Sequence, residues 1–118
     1  MSSALLWLQG FGLTLAVEEV VAVPLLGKVE ASLVRRALAV LVANLATHPL
    51  VWFFFPYLGW SWTQMACGAE AWAFGFEIVA YRLIFPEASW RRCTIVSLAA
   101  NAGSLLVGLF AARWGLLH

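Results

Sequence analysis

Four long apolar runs, at about residues 4–26, 37–57, 62–85 and 93–115, take up nearly the whole chain. A helix needs roughly 20 mostly apolar residues to cross the hydrocarbon core of a bilayer, and each run supplies them. The connections between the runs are too short to form a soluble domain. With 118 residues the chain is expected to be one domain. Its residues are 64% hydrophobic and 11% charged, against about 45–50% and 25% in soluble domains. A core this small cannot hide that excess, so lipid must take it up. The expected fold is all-α, with four transmembrane helices in a single membrane domain, residues 1–118. The first run has no basic n-region and no small-residue cleavage site, and it is too long for a signal peptide. A net charge of +1 argues against nucleic acid as a partner.

Charge gives an orientation. Lys28, Arg35 and Arg36 flank the first connection, and Arg82, Arg91 and Arg92 flank the third. The second connection, around Leu58–Ser61, is uncharged, and only Arg113 breaks the pattern. The positive-inside rule puts the basic connections in the cytoplasm and both termini outside the cell membrane, on the periplasmic or extracellular side of a bacterium. Trp7, Trp60, Trp62 and Trp114 then fall near the outer surface as an aromatic belt. Cys67 and Cys93 fall near opposite faces, beyond the ~7 Å reach of a disulfide, and are expected to be free thiols.

The chain also resembles itself. EVVAVPLL at 19–26 matches EIVAYRLI at 77–84, EASLVRR at 30–36 matches EASWRR at 87–92, and LVANLAT at 41–47 matches LAANAGS at 98–104. Three matches in the same order imply two copies of one helical hairpin, about 4–57 and 62–115. Both copies start outside, so a pseudo-twofold axis along the membrane normal would relate them, as in parallel repeats. This alignment pairs Glu19 with Glu77, Asn44 with Asn101 and Thr47 with Ser104, and leaves Glu18, Glu70, His48 and Pro49 without counterparts.

An ionisable side chain at membrane depth costs about 2.5–3.5 kcal/mol on insertion scales, so it usually faces the bundle interior with a partner. Four carboxyls lie at depth, namely Glu18, Glu19, Glu70 and Glu77, and His48 is the only basic group there. The imbalance can be met by protonation, because burial favours the uncharged form. A bound cation is a second solution, since carboxylate and amide oxygens are hard-cation ligands. Lys28, Arg36 or Arg82 reaching in from the interface is a third, and a protonated Glu donating to an Asn oxygen is a fourth. With ~1.5 Å of rise per residue, Glu19, Asn44, Glu77 and Asn101 lie at one level, ~10–12 Å inside the cytoplasmic boundary. One reading of this set is a proton- or cation-binding site. The other is a hydrogen-bond clamp, since such bonds in membranes average ~0.6 kcal/mol.

The remaining polar residues are auxiliary to that set. Glu70, Phe74, Glu77 and Tyr81 form one stripe on the third helix. The stripe can line a path, or Glu70 can simply reach water at the outer surface. His48 can relay protons, because imidazole titrates near neutral pH. It can also ligate a metal, or simply bond a neighbouring helix. Pro49 removes the helical donor of Leu45. Ala100, Ser104, Gly108 and Ala112 make a small-residue row suited to close helix packing. Ser32 and Ser89 suit helix N-caps. Di-iron chemistry needs Glu-x-x-His on two helices, and neither is present. There is no phosphate loop, zinc spacing or nucleophile–base pair, so an enzyme is not expected. The stretch NAGSLLVGL resembles the second helix of small fluoride channels but sits on the fourth helix here. Of the motifs of small four-helix multidrug exporters, only a helix-one Glu is present. Neither family is assigned.

The expected function is transport or conduction of protons or small cations through Glu19, Glu77, Asn44 and Asn101, assisted by Glu18, His48, Glu70, Thr47 and Ser104. A bound cation is the only cofactor the reading admits. So short a chain walls off only a thin path, which implies a homodimer or larger assembly. The alternative is a non-catalytic structural or accessory subunit of a larger membrane complex.

Overall fold

The computed structural model describes residues 3–114. Four helices, α1 (Ser3–Leu25), α2 (Leu33–Phe53), α3 (Trp62–Ile84) and α4 (Trp90–Arg113), are joined by short turns, two of them 3₁₀ (Leu26–Lys28 and Phe55–Leu58). No strand occurs among the described residues.

Local chemistry sets the helix ends. Pro24 has no N–H to give the carbonyl of Val20, and α1 ends one residue later in a 3₁₀ turn. Arg36 Nη1 donates to the carbonyl of Val23 at 2.7 Å, satisfying an acceptor that the end of the helix exposes. Ser32 Oγ accepts from the Arg35 amide, and Ser89 Oγ from the Arg92 amide, as N-caps should. The cap at Ser32 starts α2 before residue 37, where the apolar run begins. Ser61 and Gln64 close a reciprocal capping box at the start of α3. The turn before it needs Gly59, whose φ of +71° is left-handed.

The helices form an up-down-up-down ring in which α1 and α3 each pack between α2 and α4. Both basic turns are therefore at one end. The molecule measures 40 × 26 × 21 Å, so its long axis spans a hydrocarbon core of ~30 Å together with part of the interface. At the basic end Leu26, Val40, Cys93 and Val96 are wholly buried, and Phe85, Ala39 and Ala88 close around them. The outward face is apolar. Val20 and Leu83 are each 75% exposed, which suits a hydrocarbon surrounding.

Three helical stretches, Leu8–Lys28, Leu33–Phe53 and Trp90–Ala111, are long and apolar enough to cross a membrane. The fourth expected span is not among them. At 23 residues α3 equals α1 in length, but Gln64, Glu70, Glu77 and Arg82 dilute its apolar character. Both cysteines are free, Cys67 exposed and Cys93 buried. The side chains of Trp7, Trp62 and Ala112 lie outside the described residues. Trp60 and Trp114 are exposed.

Candidate functional site

Glu18 of α1 and Glu77 of α3 both point to the centre of the ring, where they are 2% and 1% exposed. Asn44 of α2 and Asn101 of α4 complete the layer and are also buried. Glu18 Oε1 accepts from Asn44 Nδ2 at 3.5 Å, and its Oε2 accepts from Ser104 Oγ at 3.3 Å. Glu77 Oε2 accepts from Asn101 Nδ2. Each amide nitrogen also donates one turn back along its own helix, Asn44 to the Val40 carbonyl at 2.9 Å and Asn101 to the Ser97 carbonyl at 2.8 Å. A carbonyl can only accept, so these bonds fix each amide with its nitrogen toward the carboxyl.

The two carboxyls lie within hydrogen-bonding reach of each other. Two ionised carboxylates have no proton to place between them, so a hydrogen bond joining the two would require one acid form. Glu77 Oε1 receives no N–H or O–H from the described amides and hydroxyls. Arg36, Arg82 and Arg35 are engaged elsewhere. Arg36 donates to the carbonyls of Val23 and Ala31, and Arg82 to that of Pro86. Arg82 also lies over the Trp90 ring, 5.4 Å from its centroid. Arg35 pairs with Glu30 at 3.2 Å. None of them bonds Glu18 or Glu77.

The layer divides the bundle into unlike halves. On the side away from the basic turns, all four helices line an open cavity of about 310 Å³. Glu18, Asn44 and Asn101 form its polar floor, Glu70 and His48 stand on its walls, and Val51, Leu105 and Leu109 supply apolar surface. Toward the basic turns, Tyr81 follows Glu77 one turn on. It is fully buried, with no partner for its hydroxyl among the described residues. Beyond it is the apolar cluster around Leu26, Val40 and Val96.

Of the four expected site residues, the structure brings together Glu77, Asn44 and Asn101. Glu19 stands apart. It is only part-buried and makes no hydrogen bond to the layer, and Glu18 takes its place. The reason is helical geometry, since successive residues point ~100° apart and only one of the two can face the centre. Thr47 is buried but donates to the carbonyls of Ala43 and Asn44. Ser104 joins the site directly. His48 lies against Phe11 and Trp52, with ring centroids 5.2 and 6.2 Å away. In the expected close-packing row, a Cβ added at Gly108 would meet nothing within 4 Å, because that position opens onto the cavity. The close approach to α1 is outside that row, at Gly103, where a Cβ would meet Val21 and Val17.

Two further contributors are Thr14, which lines the cavity one turn from Glu18, and Ser97, whose hydroxyl donates to the Phe74 carbonyl at 2.9 Å and ties α4 to α3. The i, i+4 pair Thr14–Glu18 was a readable sign of the inward face of α1. No group of three His, Cys, Asp or Glu side chains among the described residues is arranged to hold a metal ion.

Fold and site together define a small all-helical protein with apolar, membrane-length helices around a buried acid pair. No family model, no curated protein and no solved structure matches the chain.

Proposed function

We propose that this protein is a small membrane transporter whose coupling ion is a proton held between Glu18 and Glu77. The observation that carries the reading is the position of these two almost wholly buried carboxyls next to one another, with Glu18 at the floor of a cavity. A proton fits this site better than a metal cation does. The amides turn N–H donors toward the carboxyls, and donors stabilise a carboxylate while repelling a cation. The dry apolar plug beyond Tyr81 favours a carrier that opens by turns over a continuous pore.

In this reading all four helices span the membrane, α3 being sheltered by its neighbours. The basic turns lie in the cytoplasm and the cavity faces outside. The two hairpins descend from one duplicated unit, with the helix-one match shifted by one residue. Glu18, Ala22 and Leu26 then correspond to Glu77, Tyr81 and Phe85, and the turn bonds Val29 N–H to Leu26 O and Ala88 N–H to Phe85 O correspond as well, each 2.9 Å. Asn44 and Asn101, and the caps Ser32 and Ser89, keep their original pairing. The site is complete within one chain, so a homodimer is not needed to build it.

The competing reading is a structural subunit, favoured by the way each Asn staples its helix to the neighbour that carries the Glu. Proteoliposomes with an internal pH dye separate the two. Proton movement is recorded under a potassium diffusion potential, and under a pH gradient on adding Na⁺, K⁺ or benzylammonium. The readout is the difference between wild type and Glu18→Gln/Glu77→Gln, which cancels leakage and weak-base permeation. A carrier gives a difference under at least one condition. Identical traces under every condition leave only the structural subunit.

A further inference from the structure

The cavity above the acid pair is larger than a proton or a dehydrated metal ion requires. Its volume is about 310 Å³, close to ten times the ~30 Å³ that one water occupies in the liquid and at the lower end of small-molecule sites. Its chemistry is one-sided. Glu18 and Glu70 both line it, near enough to interact electrostatically, and no Lys or Arg is among its lining residues. The amide nitrogens of Asn44 and Asn101 are spent on carboxyls and backbone carbonyls. What the floor offers a visitor is therefore oxygen, from carboxyl, amide and hydroxyl groups. Val51, Leu105 and Leu109 give the rest of the space a hydrocarbon lining. A ligand that satisfies these surfaces brings N–H donors, a positive charge and an apolar body.

We propose that this cavity binds a small organic ammonium ion, and that the ion enters as a proton leaves the Glu18–Glu77 pair. The coupling half of this statement rests on the proton-carrier reading above. The exchange balances, because one positive charge arrives and one departs. Glu70, on the cavity wall, meets the cation first, and the pair beneath yields its proton when the ammonium is seated. The other titratable groups around the pair are Glu19 on α1, His48 on α2, Tyr81 on α3 and Cys93 on α4. An alkali cation would find excess volume and hydrocarbon walls, and a neutral molecule would leave Glu70 without a counter-ion.

The test is calorimetric titration of the purified full chain in nanodiscs with benzylamine in its ammonium form. Benzyl alcohol serves as a neutral molecule of the same shape, and NaCl and KCl as alkali controls. Saturable binding of benzylammonium is expected, with the alcohol and the alkali ions at least tenfold weaker. Glu70→Gln is expected to weaken binding at least tenfold. Gly108→Leu extends into the cavity from a position where an added Cβ meets nothing within 4 Å and is expected to abolish binding while the protein keeps its elution volume and helicity. In weak buffer the wild type releases a proton for each ammonium bound, and Glu18→Gln/Glu77→Gln releases none. Equal binding of benzyl alcohol, or unimpaired binding by Gly108→Leu, overturns the ammonium site. Ammonium binding without proton release keeps the site and overturns the coupling. Carboxyl-dependent proton flux in liposomes with no ammonium binding does the reverse.

Discussion

Glu18 and Glu77 meet at the centre of the bundle from α1 and α3, helices that sit opposite each other in the ring. Their amide partners come from the other two helices. One polar layer therefore uses all four helices, and no helix can rotate without breaking it. Burying two like charges side by side in a medium of low dielectric is prohibitive, and the proposed proton between them removes that cost. Arg36 and Arg82 do not supply the compensating charge, because their guanidinium groups close the turns at the basic end.

A protonated acid has a spectroscopic signature. At neutral pH the infrared spectrum of the protein in lipid should contain the carbonyl stretch of a protonated carboxylic acid. Gln in place of either Glu brings an N–H that can donate to the remaining carboxylate, making the shared proton unnecessary. Glu18→Gln and Glu77→Gln should therefore each lose the band and stay folded. A band that persists in both single variants would place the proton elsewhere.

The amide donors should differ in worth. Asn101→Ala strips Glu77 Oε2 of its only amide donor, and a buried acceptor left unsatisfied costs about 1–3 kcal/mol. Interhelical bonds in membranes sit at the low end of such scales, so a loss of about 1–2 kcal/mol is expected. Asn44→Ala breaks a longer contact, 3.5 Å, and leaves Glu18 the Ser104 hydroxyl, so it should cost less. Reversible unfolding in mixed micelles gives the order. If Asn44→Ala is the more damaging, the assignment of these bonds is wrong.

Much of this was legible in the sequence, for identifiable reasons. Length and hydropathy located the helices. The serine caps and the inward placing of Asn44 and Asn101 were readable because a cap and a buried amide each need a particular residue type at a particular place. The choice between Glu18 and Glu19 was not readable from the best-matching letters. EVVAV and EIVAY align on Glu19, and the one short sign of the inward face of α1, the pair Thr14 and Glu18, lies outside that match. The structure selects the face on which Ala22 and Leu26 are wholly buried, one and two turns from Glu18. The cavity was invisible for a different reason. Gly108 belongs to a row that suits close packing, and only the tertiary arrangement places empty space beside it.

Gly103 and Gly12 provide a contrast in packing. A Cβ at Gly103 would lie 3.4 Å from Val21 Cγ2 and 3.5 Å from Val17 Cγ1, an ordinary contact that leaves no room for more. Gly103→Ala should be neutral or stabilising, since alanine gains up to ~1 kcal/mol over glycine inside a helix. Gly103→Leu must push α1 from α4 and should cost about 1–3 kcal/mol. Gly12 is exposed with nothing within 4 Å, so Gly12→Leu should unfold no earlier than wild type. Equal damage from the two leucines would mean that α1 and α4 are not packed as described.

The proposed orientation makes a prediction that does not depend on transport. Tyr57 lies on the uncharged connection and is 86% exposed, while Glu87 lies, exposed, on a basic one. In a Cys67→Ser/Cys93→Ser background, a single cysteine at either position reports its side of the membrane to a maleimide that cannot cross lipid. Six basic residues flank the two connections at the Glu87 end, and charge of that sign is retained in the cytoplasm. In intact cells Tyr57→Cys should therefore label at once, whereas Glu87→Cys should label only after the membrane is permeabilised. The opposite pattern would turn the cavity toward the cytoplasm and reverse the side from which the ammonium ion is captured. Labelling of both positions in intact cells would mean that the chain does not hold one orientation.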